Sequence, residues 1–274
     1  MAQRCDPQMA VAPLFIPANR PGLFEKASKS GTEAIIIDLE DAVAPSAKEE
    51  ARRRLVEVAL PSVTRIVRVN AIGTPWHADD VAALSGLDID AVMLPKCESA
   101  EDVAFLAGKL GRAVQIIALI ETAVGIVNAA AVAASPDVSR LAFGSIDFCA
   151  DIGCATGWDS LLHARSAIVL ASRLGSVAAP IDGVTLGLHD TVRAQQDARR
   201  AAQLGFSGKM CIHPSQVAAV QAGFAPRDEE VAWARRVVGS KDSGVASIDG
   251  MMVDPPVIRR AEQILAQARS IAAR

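Results

Sequence analysis

Acidic, basic and amide residues stand directly after short apolar runs at several places in the chain. In AIIIDLEDAV (34–43), four apolar residues lead into three acids within four positions, and VRVN (67–70), MLPK (93–96), LIET (119–122), FGSID (143–147) and CIHP (211–214) show a similar arrangement. The polar residues placed in this way are Asp38, Glu40, Asp41, Arg68, Asn70, Lys96, Glu121, Asp147 and His213. Brought together, residues of these types could bind a metal and transfer protons.

Several carboxylates in one place require positive charge among them, because like charges held close together raise one another's pKa values. Arg68 and Lys96 supply part of that charge, and a divalent metal is the candidate for the rest. The available ligands are hard oxygens, without a Cys or His cluster, which favours Mg²⁺, or Mn²⁺, over Zn²⁺. Mg²⁺ commonly takes one or two protein carboxylates and completes its shell with water and substrate oxygens. These residues therefore predict a metal site with open positions.

Each of these residues also has a plainer interpretation. Asp38 could be a helix N-cap, and Lys96 and His213 could merely hydrogen-bond neighbouring strand ends. Glu121 follows two apolar residues, where a buried Glu needs a strong partner. Arg68 lies between two valines, and a buried Arg usually marks a carboxylate or phosphate site. For Glu121, Asp147 and Arg68 the functional interpretation is favoured.

Eight short apolar runs are spaced along the chain, with longer segments of helical period between them. The runs are 11–17, 33–39, 65–70, 91–96, 115–121, 140–144, 180–184 and 209–214, and the helical segments include 47–60, 99–110 and 190–206. Runs of this length that do not alternate predict parallel strands covered on both faces. Eight strand–helix units predict an α/β fold, a (β/α)₈ TIM barrel whose reactive groups lie at the carboxyl ends of the strands. An open doubly wound sheet is the alternative.

The chain beyond about residue 225 exceeds what a barrel needs. It contains two further helical segments, EEVAWARRVV (229–238) and PPVIRRAEQILAQARSIAAR (255–274), separated by a Gly- and Ser-rich stretch. We therefore predict a catalytic barrel domain over residues 1–225 and a C-terminal helical extension over residues 226–274. The extension is expected to cap the barrel or to reach a neighbouring subunit.

The composition excludes several classes of protein. The net charge is −3, and aromatic residues make up only 4% of the chain, which argues against a nucleic-acid or membrane-surface binder. No transmembrane stretch or signal-peptide pattern is present. Five cysteines without paired spacing (Cys5, Cys97, Cys149, Cys154 and Cys211) predict free thiols in a reducing compartment. We expect a cytoplasmic protein.

Eight stretches of the sequence also match one known family, in the family's order and over nearly the whole chain. They are LFIPANRPGLFEKA (14–27), IIIDLEDAV (35–43), RVN (68–70), MLPKCES (93–99), ALIETAVG (118–125), FGSIDFCADIG (143–153), GFSGKMCIHPSQ (205–216) and DGMMVDPPV (249–257). On these motifs the sequence resembles the citrate lyase β-subunit-like proteins of the HpcH/HpaI aldolase superfamily. The resemblance implies a (β/α)₈ barrel that binds Mg²⁺ and cleaves or forms a C–C bond in 3-hydroxyacyl thioesters.

The resemblance also implies roles for individual residues. Glu121 and Asp147 match direct Mg²⁺ ligands, and Glu121 also faces the substrate. Glu40 and Asp41 match acids that reach the metal through water, and Arg68 matches a residue that clamps the keto-acid carboxylate. The coenzyme A contacts match Phe15, Arg20 and Lys26, whose two cations suit the phosphates of the CoA tail. Asp254 matches a general acid–base that reaches the active site of an adjacent subunit; taken alone, an Asp before Pro-Pro is a helix N-cap.

The activity expected from the resemblance is a Mg²⁺-dependent lyase acting on malyl-, citramalyl- or hydroxymethylglutaryl-CoA and giving a keto acid and an acyl-CoA. The same residues are compatible with the reverse, malate synthase-type reaction and with a malyl- or citramalyl-CoA thioesterase. Further alternatives are a citrate lyase β subunit working with an acyl-carrier protein, a class II pyruvate aldolase and a non-catalytic binder. A homo-oligomer is expected, with a trimer favoured.

Overall fold

The computed structural model describes residues 4–57, 62–240 and 247–272. Eight parallel strands pair in the order in which they occur in the chain. They are β1 (Leu14–Pro17), β2 (Ala34–Asp38), β3 (Thr64–Arg68), β4 (Ala91–Leu94), β5 (Gln115–Ile120), β6 (Val138–Phe143), β7 (Ala178–Asp182) and β8 (Gly208–Lys209). The sheet closes on itself, because the Phe15 N–H donates to the Cys211 carbonyl at 2.9 Å and the Cys211 N–H donates to the Pro13 carbonyl at 2.8 Å. The predicted (β/α)₈ barrel is confirmed.

Helices follow each strand and form the outer layer. They are α1 (Gly22–Ser28), α2 (Lys48–Arg54), α3 (His77–Ala83), α4 (Ala100–Leu110), α5 (Ala123–Ala133), α6 (Ser145–Ile152), α7 (Leu162–Leu174), α8 (Thr191–Leu204) and α9 (Pro214–Phe224). The predicted helix over 47–60 is observed as α2 and a 3₁₀ turn over Leu55–Glu57, and its last residues, 58–60, lie outside the described part of the chain. Two helices, α6 and α7, separate β6 from β7.

The predicted strand over 209–214 is wrong in its extent. The observed strand β8 has two residues, and residues beyond it form the loop that leads into α9. The Met210 N–H still donates to the Asp182 carbonyl at 3.0 Å, so this loop stays attached to the barrel.

The interior of the barrel is filled by aliphatic side chains. Ile36, Ile66, Met93, Ile117, Leu119, Ala142, Ile181 and Met210 form one buried cluster. Strands buried on both faces explain why the sequence shows continuous apolar runs instead of alternation. At the amino-terminal end of the strands, the buried Arg140 donates to the carbonyls of Ala10 (2.8 Å) and Ala179 (2.7 Å). These hydrogen bonds hold the N-terminal segment against the barrel.

The chain divides after Gly223 into two compact units. The second unit contains α10 (Asp228–Gly239), a short antiparallel pair of strands, β9 (Ser247–Ile248) and β10 (Met251–Met252), and α11 (Pro255–Ala272). Ala234, Val237 and Ala261 form its own small core. The catalytic role assigned to residues 1–225 and the capping role assigned to residues 226–274 stay predictions. None of the described helices is long and apolar enough to cross a membrane.

The α5–α7 contact depends on a glycine that cannot accept a side chain. A Cβ at Gly175 would lie 2.5 Å from the Ala133 carbonyl carbon and oxygen. We expect Gly175→Ala to lower the free energy of unfolding by about 1–3 kcal/mol, the usual cost of overpacking, as measured by urea denaturation. The control is Gly108→Ala in α4, where a Cβ meets nothing within 4 Å and a gain of about 0.5–1 kcal/mol is expected. Equal effects at the two positions would contradict the packing argument.

Candidate active site

A cavity of about 200 Å³ lies at the carboxyl ends of the barrel strands. It is lined by Phe15, Asp38, Asp41, Ala42, Arg68, Leu119, Glu121, Phe143, Gly144, Ser145, Ile146, Asp147, Val184, Met210 and Ile212. Acids and one guanidinium from β2, β3, β5 and β6 therefore meet in one place, as the positions of the polar residues at the strand ends predicted.

Arg68 is held by two carboxylates at the ends of neighbouring strands. Its Nε and Nη2 donate to the two oxygens of Asp38 at 2.8 and 2.7 Å, and Nη1 lies 2.8 Å from Glu40 Oε2, close enough for an ion pair although not aligned as a hydrogen bond. The ring of Phe15 packs against the guanidinium, 4.8 Å from its carbon. Burial alone would lower the pKa of Arg68. The negative charges of Asp38, Glu40 and Glu121 raise it by more than burial lowers it, so the net shift is upward. Arg68 is thus a fixed, permanent cation.

Asp38 is not a helix N-cap, because the first helical turn after β2 begins at Pro45 and has Ala44 as its N-cap. Besides binding Arg68, its carboxylate accepts the N–H groups of Glu40 (2.9 Å) and Ala42 (3.1 Å). It therefore fixes the turn that carries Glu40 and Asp41, and it orients the guanidinium.

Glu40 is buried between two cations. Lys96 Nζ lies 2.8 Å from Glu40 Oε1, opposite the contact with Arg68. Burial raises the pKa of Glu40, and Arg68 and Lys96 offset this only in part. Asp41, by contrast, is exposed at the rim of the cavity.

Glu121 is the most buried acid in the cavity lining after Asp38, with 1% exposure. Its Oε1 accepts the backbone N–H of Lys96 at 2.9 Å, and its Oε2 has no hydrogen-bond partner. Burial raises the pKa of Glu121 well above its usual value, and the charges of Glu40 and Asp147 add to the effect. A buried, unpartnered carboxylate oxygen is costly, which indicates that a cation belongs beside it.

Two unusual backbone features hold Glu121 in this position. Gly144 lies against its side chain, and a Cβ there would be 2.0 Å from Glu121 Oε2 and 2.5 Å from Glu121 Cβ. Lys96 has a φ of 49°, a left-handed conformation that is uncommon for a residue other than glycine. Strained backbone of this kind clusters at functional sites.

The residues present fit Mg²⁺. Glu121 contributes an unpartnered carboxylate oxygen, and the nearby, half-buried Asp147, in the first turn of α6, contributes a second carboxylate. In the described part of the chain, no three His, Cys, Asp or Glu residues lie close enough together to hold a metal alone. Two carboxylates are nevertheless a usual protein contribution to a Mg²⁺ site.

Sequence reasoning missed Lys48, which supports the acid-bearing turn from behind. Lys48 is buried, and its Nζ donates to the carbonyls of Leu39 and Glu40 (both 2.9 Å) and to Asn70 Oδ1 (2.6 Å). Asn70 is held in turn by Asp80, through its backbone N–H at 2.8 Å. The available signal was a lysine at the start of a helix, where the macrodipole disfavours a cation.

The remaining predicted residues lie elsewhere. Arg20 and Lys26 are exposed at the first strand–helix loop and on α1, and neither has an ion-pair partner among the described residues. His213 does not line the cavity; its Nδ1 lies 2.8 Å from Ser215 Oγ, and its ring packs against His189. Asp254 belongs to the second unit, where its carboxylate accepts the Val257 N–H at 3.0 Å as the N-cap of α11. Its catalytic role stays a prediction.

The raised pKa of Glu121 predicts that this residue destabilises the metal-free protein. Because its pKa is higher in the folded than in the unfolded state, the folded state binds more protons, and stability falls as pH rises above about 4.5. In EDTA at pH 8, Glu121→Gln should therefore raise the free energy of unfolding by about 1–3 kcal/mol, and the difference should shrink towards pH 4. The exposed Glu101→Gln is the control, expected within about 0.5 kcal/mol of wild type. Destabilisation of Glu121→Gln at pH 8 would contradict the prediction.

Comparison with known proteins gives consistent similarities. A family model described as HpcH/HpaI aldolase/citrate lyase matches residues 12–214, and one described as C–C bond lyase of the TIM-barrel fold matches residues 185–272. The chain is 40% identical to a citrate lyase subunit beta-like protein of Mycobacterium tuberculosis, over 93% of this chain and 94% of the relative. It is 34% identical to a (3S)-malyl-CoA thioesterase of Cereibacter sphaeroides, over 100% and 99% of the two chains.

Comparison with solved structures gives matches to the same group of proteins. The M. tuberculosis protein CitE in complex with magnesium, acetoacetate and coenzyme A superposes with a TM-score of 0.87 at 38% identity, covering 96% of this chain and 99% of that chain. Its complex with magnesium and pyruvate gives a TM-score of 0.78 at 35% identity, covering 94% and 99%. A complex with oxaloacetate and magnesium gives 0.72 at 38% identity, covering 80% and 98%. On the matched motifs, the closed barrel and these similarities, the chain belongs to the HpcH/HpaI aldolase/citrate lyase family.

Proposed function

We propose that this protein is a Mg²⁺-dependent acyl-CoA lyase that cleaves 3-hydroxyacyl-CoA thioesters into a keto acid and an acyl-CoA. The observation that carries the proposal is the buried, unpartnered Oε2 of Glu121, in a cavity that also contains Asp147 and Arg68. Relatives whose structures contain magnesium with keto acids, and in one case coenzyme A, support it.

Glu121 and Asp147 would hold the metal, and Glu40 and Asp41 would reach it through water. Mn²⁺ would suit the same oxygen ligands. When bound, the metal would supply Lewis acidity at the substrate oxygen that becomes the carbonyl. Lys96 has two functions here: its backbone N–H orients Glu121, and its side chain offsets the charge of Glu40.

Arg68 would bind the carboxylate of the keto acid. A guanidinium has five N–H donors, and three of its nitrogens already contact Asp38 and Glu40, which leaves N–H groups on Nη1 and Nη2 for a substrate carboxylate. Because Asp38 fixes the guanidinium before substrate arrives, little conformational entropy is lost on binding.

The reaction would be a retro-Claisen cleavage. The bond between the thioester α-carbon and the hydroxyl-bearing carbon breaks, and its electron pair passes to the thioester as an enolate. The hydroxyl group loses its proton and becomes the carbonyl of the keto acid, and the α-carbon gains a proton. Asp254 of a neighbouring copy would transfer that proton, which requires at least a dimer; a trimer is favoured.

The CoA part of the substrate would lie at Phe15, Arg20 and Lys26. Arg20 and Lys26 are exposed cations near the end of β1, and such cations suit phosphate groups. Phe15 lies deeper, in the cavity against Arg68, so in this proposal it contacts the thioester end and not the phosphates.

A thioesterase is the second candidate. In that case water would attack the thioester carbonyl, and the C–C bond would stay intact. The full-length similarity to a (3S)-malyl-CoA thioesterase favours keeping this candidate. Release of free CoA with malate or citramalate, instead of acyl-CoA with a keto acid, would identify it.

The metal assignment is tested by Glu121→Ala and Asp147→Ala. Both variants should lose Mg²⁺ binding, measured by calorimetry, and cleavage of malyl-, citramalyl- and hydroxymethylglutaryl-CoA, measured as keto acid released. Gly144→Ala keeps every ligand but displaces Glu121, and should weaken Mg²⁺ binding too. His213→Ala, outside the cavity, is the control. Full activity in Glu121→Ala would refute the metal site.

The role of Asp254 is tested separately. We expect Asp254→Ala to retain Mg²⁺ and keto-acid binding and to lower kcat by roughly 10²–10⁴-fold, the usual contribution of a general acid–base. Asp254→Asn keeps an oxygen acceptor for the Val257 N–H and controls for loss of the cap. Normal turnover in Asp254→Asn would show that the residue is an N-cap of α11 and nothing more.

A further inference from the structure

We propose that Cys149 and Cys154 form a redox-active thiol pair, which a small-molecule disulfide such as glutathione disulfide converts into a protein disulfide at the end of α6. Both residues carry free thiols, and neither lines the cavity. No step of the proposed reaction uses them. The pair would react in this way whatever chemistry the cavity performs.

The turn that ends α6 brings these two residues together. Gly153 follows the helix in a left-handed conformation, with a φ of 70°. The Cys154 N–H donates to the Cys149 carbonyl at 3.1 Å, which is the six-residue hydrogen bond of a Schellman motif. The first and last side chains of this motif often contact each other through apolar groups. Here both of these side chains are thiols.

The separation of Cys149 and Cys154 suits a disulfide. Residues joined by a backbone hydrogen bond have Cα atoms about 5–6 Å apart, and disulfides connect Cα atoms about 4.4–6.8 Å apart. The Cys154 thiol also lies within hydrogen-bonding distance of the Cys149 thiol. Closure therefore requires rotation of the two side chains, in which the Cys149 thiol gives up its 3.5 Å hydrogen bond to the Ala155 carbonyl.

Accessibility determines the order of the two exchange steps. Cys149 is only 5% exposed, whereas Cys154 is half-buried. The Cys154 thiolate therefore attacks one sulfur of glutathione disulfide first; a mixed disulfide forms, the S–S bond of glutathione disulfide breaks, and one glutathione thiolate leaves. The Cys149 thiol then loses its proton and attacks the Cys154 sulfur, and the second glutathione leaves. Two protein thiols are oxidised to one disulfide, one glutathione disulfide is reduced to two thiols, and two protons pass from the protein to the released glutathione.

The pair lies on the helix that connects the two proposed metal ligands. Asp147 is in the first turn of α6. Asp151, further along α6, accepts the Ala123 N–H at 2.7 Å, and Ala123 begins α5 two residues after Glu121. A disulfide that restrains the end of α6 would therefore act on both sides of the metal site. We expect it to weaken Mg²⁺ binding, because the free-thiol form is the one in which these contacts are made; this part rests on the proposed function.

The first test maps the disulfide in the full-length protein after incubation with glutathione disulfide. Arg140 and Arg165 flank the pair with no Lys or Arg between them, so trypsin releases both cysteines in one peptide that contains no other cysteine. We expect mass spectrometry to show this peptide lighter by two hydrogen atoms and unreactive to iodoacetamide until dithiothreitol is added. A wild-type peptide that keeps two alkylatable thiols, or that accumulates a glutathione adduct, would overturn the proposal.

Variants identify the role of each thiol. In Cys149→Ser the second step is missing, so the mixed disulfide of Cys154 with glutathione should accumulate. In Cys154→Ser the remaining thiol is buried, and its glutathionylation should be at least about 10-fold slower, because exchange depends on access. Cys5→Ser, which removes a half-buried cysteine of the N-terminal segment, is the matched control and should form the disulfide at the wild-type rate. Equal rates of adduct formation in Cys149→Ser and Cys154→Ser would contradict the assigned order.

Calorimetry links the pair to the metal site and separates it from the proposed function. Oxidised wild-type protein should bind Mg²⁺ about 5-fold or more weakly than reduced protein, whereas oxidant should leave the Mg²⁺ affinity of Cys154→Ser unchanged. Equal affinity of the two wild-type forms would show that the coupling to the metal site is wrong. If reduced protein binds no Mg²⁺, the proposed function fails, while a disulfide found in the tryptic peptide still confirms the thiol pair.

Discussion

The buried carboxylate of Glu121 constrains the residues around it at the carboxyl end of the barrel. Glu121 is almost fully withdrawn from water, yet the protein provides a donor for only one of its oxygens. Two features of the neighbouring backbone accommodate Glu121 in this arrangement. Gly144 must lack a side chain, and the backbone of Lys96 must adopt a left-handed conformation. A cation placed beside Glu121 Oε2 would offset the cost of burying that oxygen without a partner.

The two cations of the site pair with acids other than the proposed metal ligands. Arg68 and Lys96 share Glu40 between them, and Asp38 occupies one side of the Arg68 guanidinium. Each cation is therefore fixed by a carboxylate that differs from the proposed metal ligands. Lys48 lies on the other side of the turn that carries Glu40 and Asp41, and its Nζ donates to the carbonyls of Leu39 and Glu40 in that turn. The turn is rigid before any ligand arrives, which favours catalysis by preorganised groups.

The sequence predicted the fold and the meeting of the acids because both follow from local pattern. Apolar runs identify strands, and parallel strands in a barrel end at one face, so residues after the runs converge. Side-chain pairing was beyond this reasoning. The bidentate contact of Asp38 with Arg68 and the fit of Glu121 against Gly144 depend on side-chain directions and on contacts between distant strands. The roles of Asp254 and of the CoA-binding residues came from resemblance alone, since no local pattern distinguishes them from a cap or from surface charge.

The cavity at the carboxyl ends of the strands forms only when the barrel closes. Its lining extends from Phe15 to Ile212, and the last strand joins the first through hydrogen bonds such as that from the Phe15 N–H to the Cys211 carbonyl. A nascent chain still lacking β8 cannot assemble the complete lining, and contacts this distant in sequence form slowly. Ligands that bind only the closed ring stabilise the finished barrel and no earlier intermediate. Because the strands pair in chain order, the edge of β1 that β8 covers is the one that stays unpaired longest during synthesis, and chaperones would be most useful in that interval.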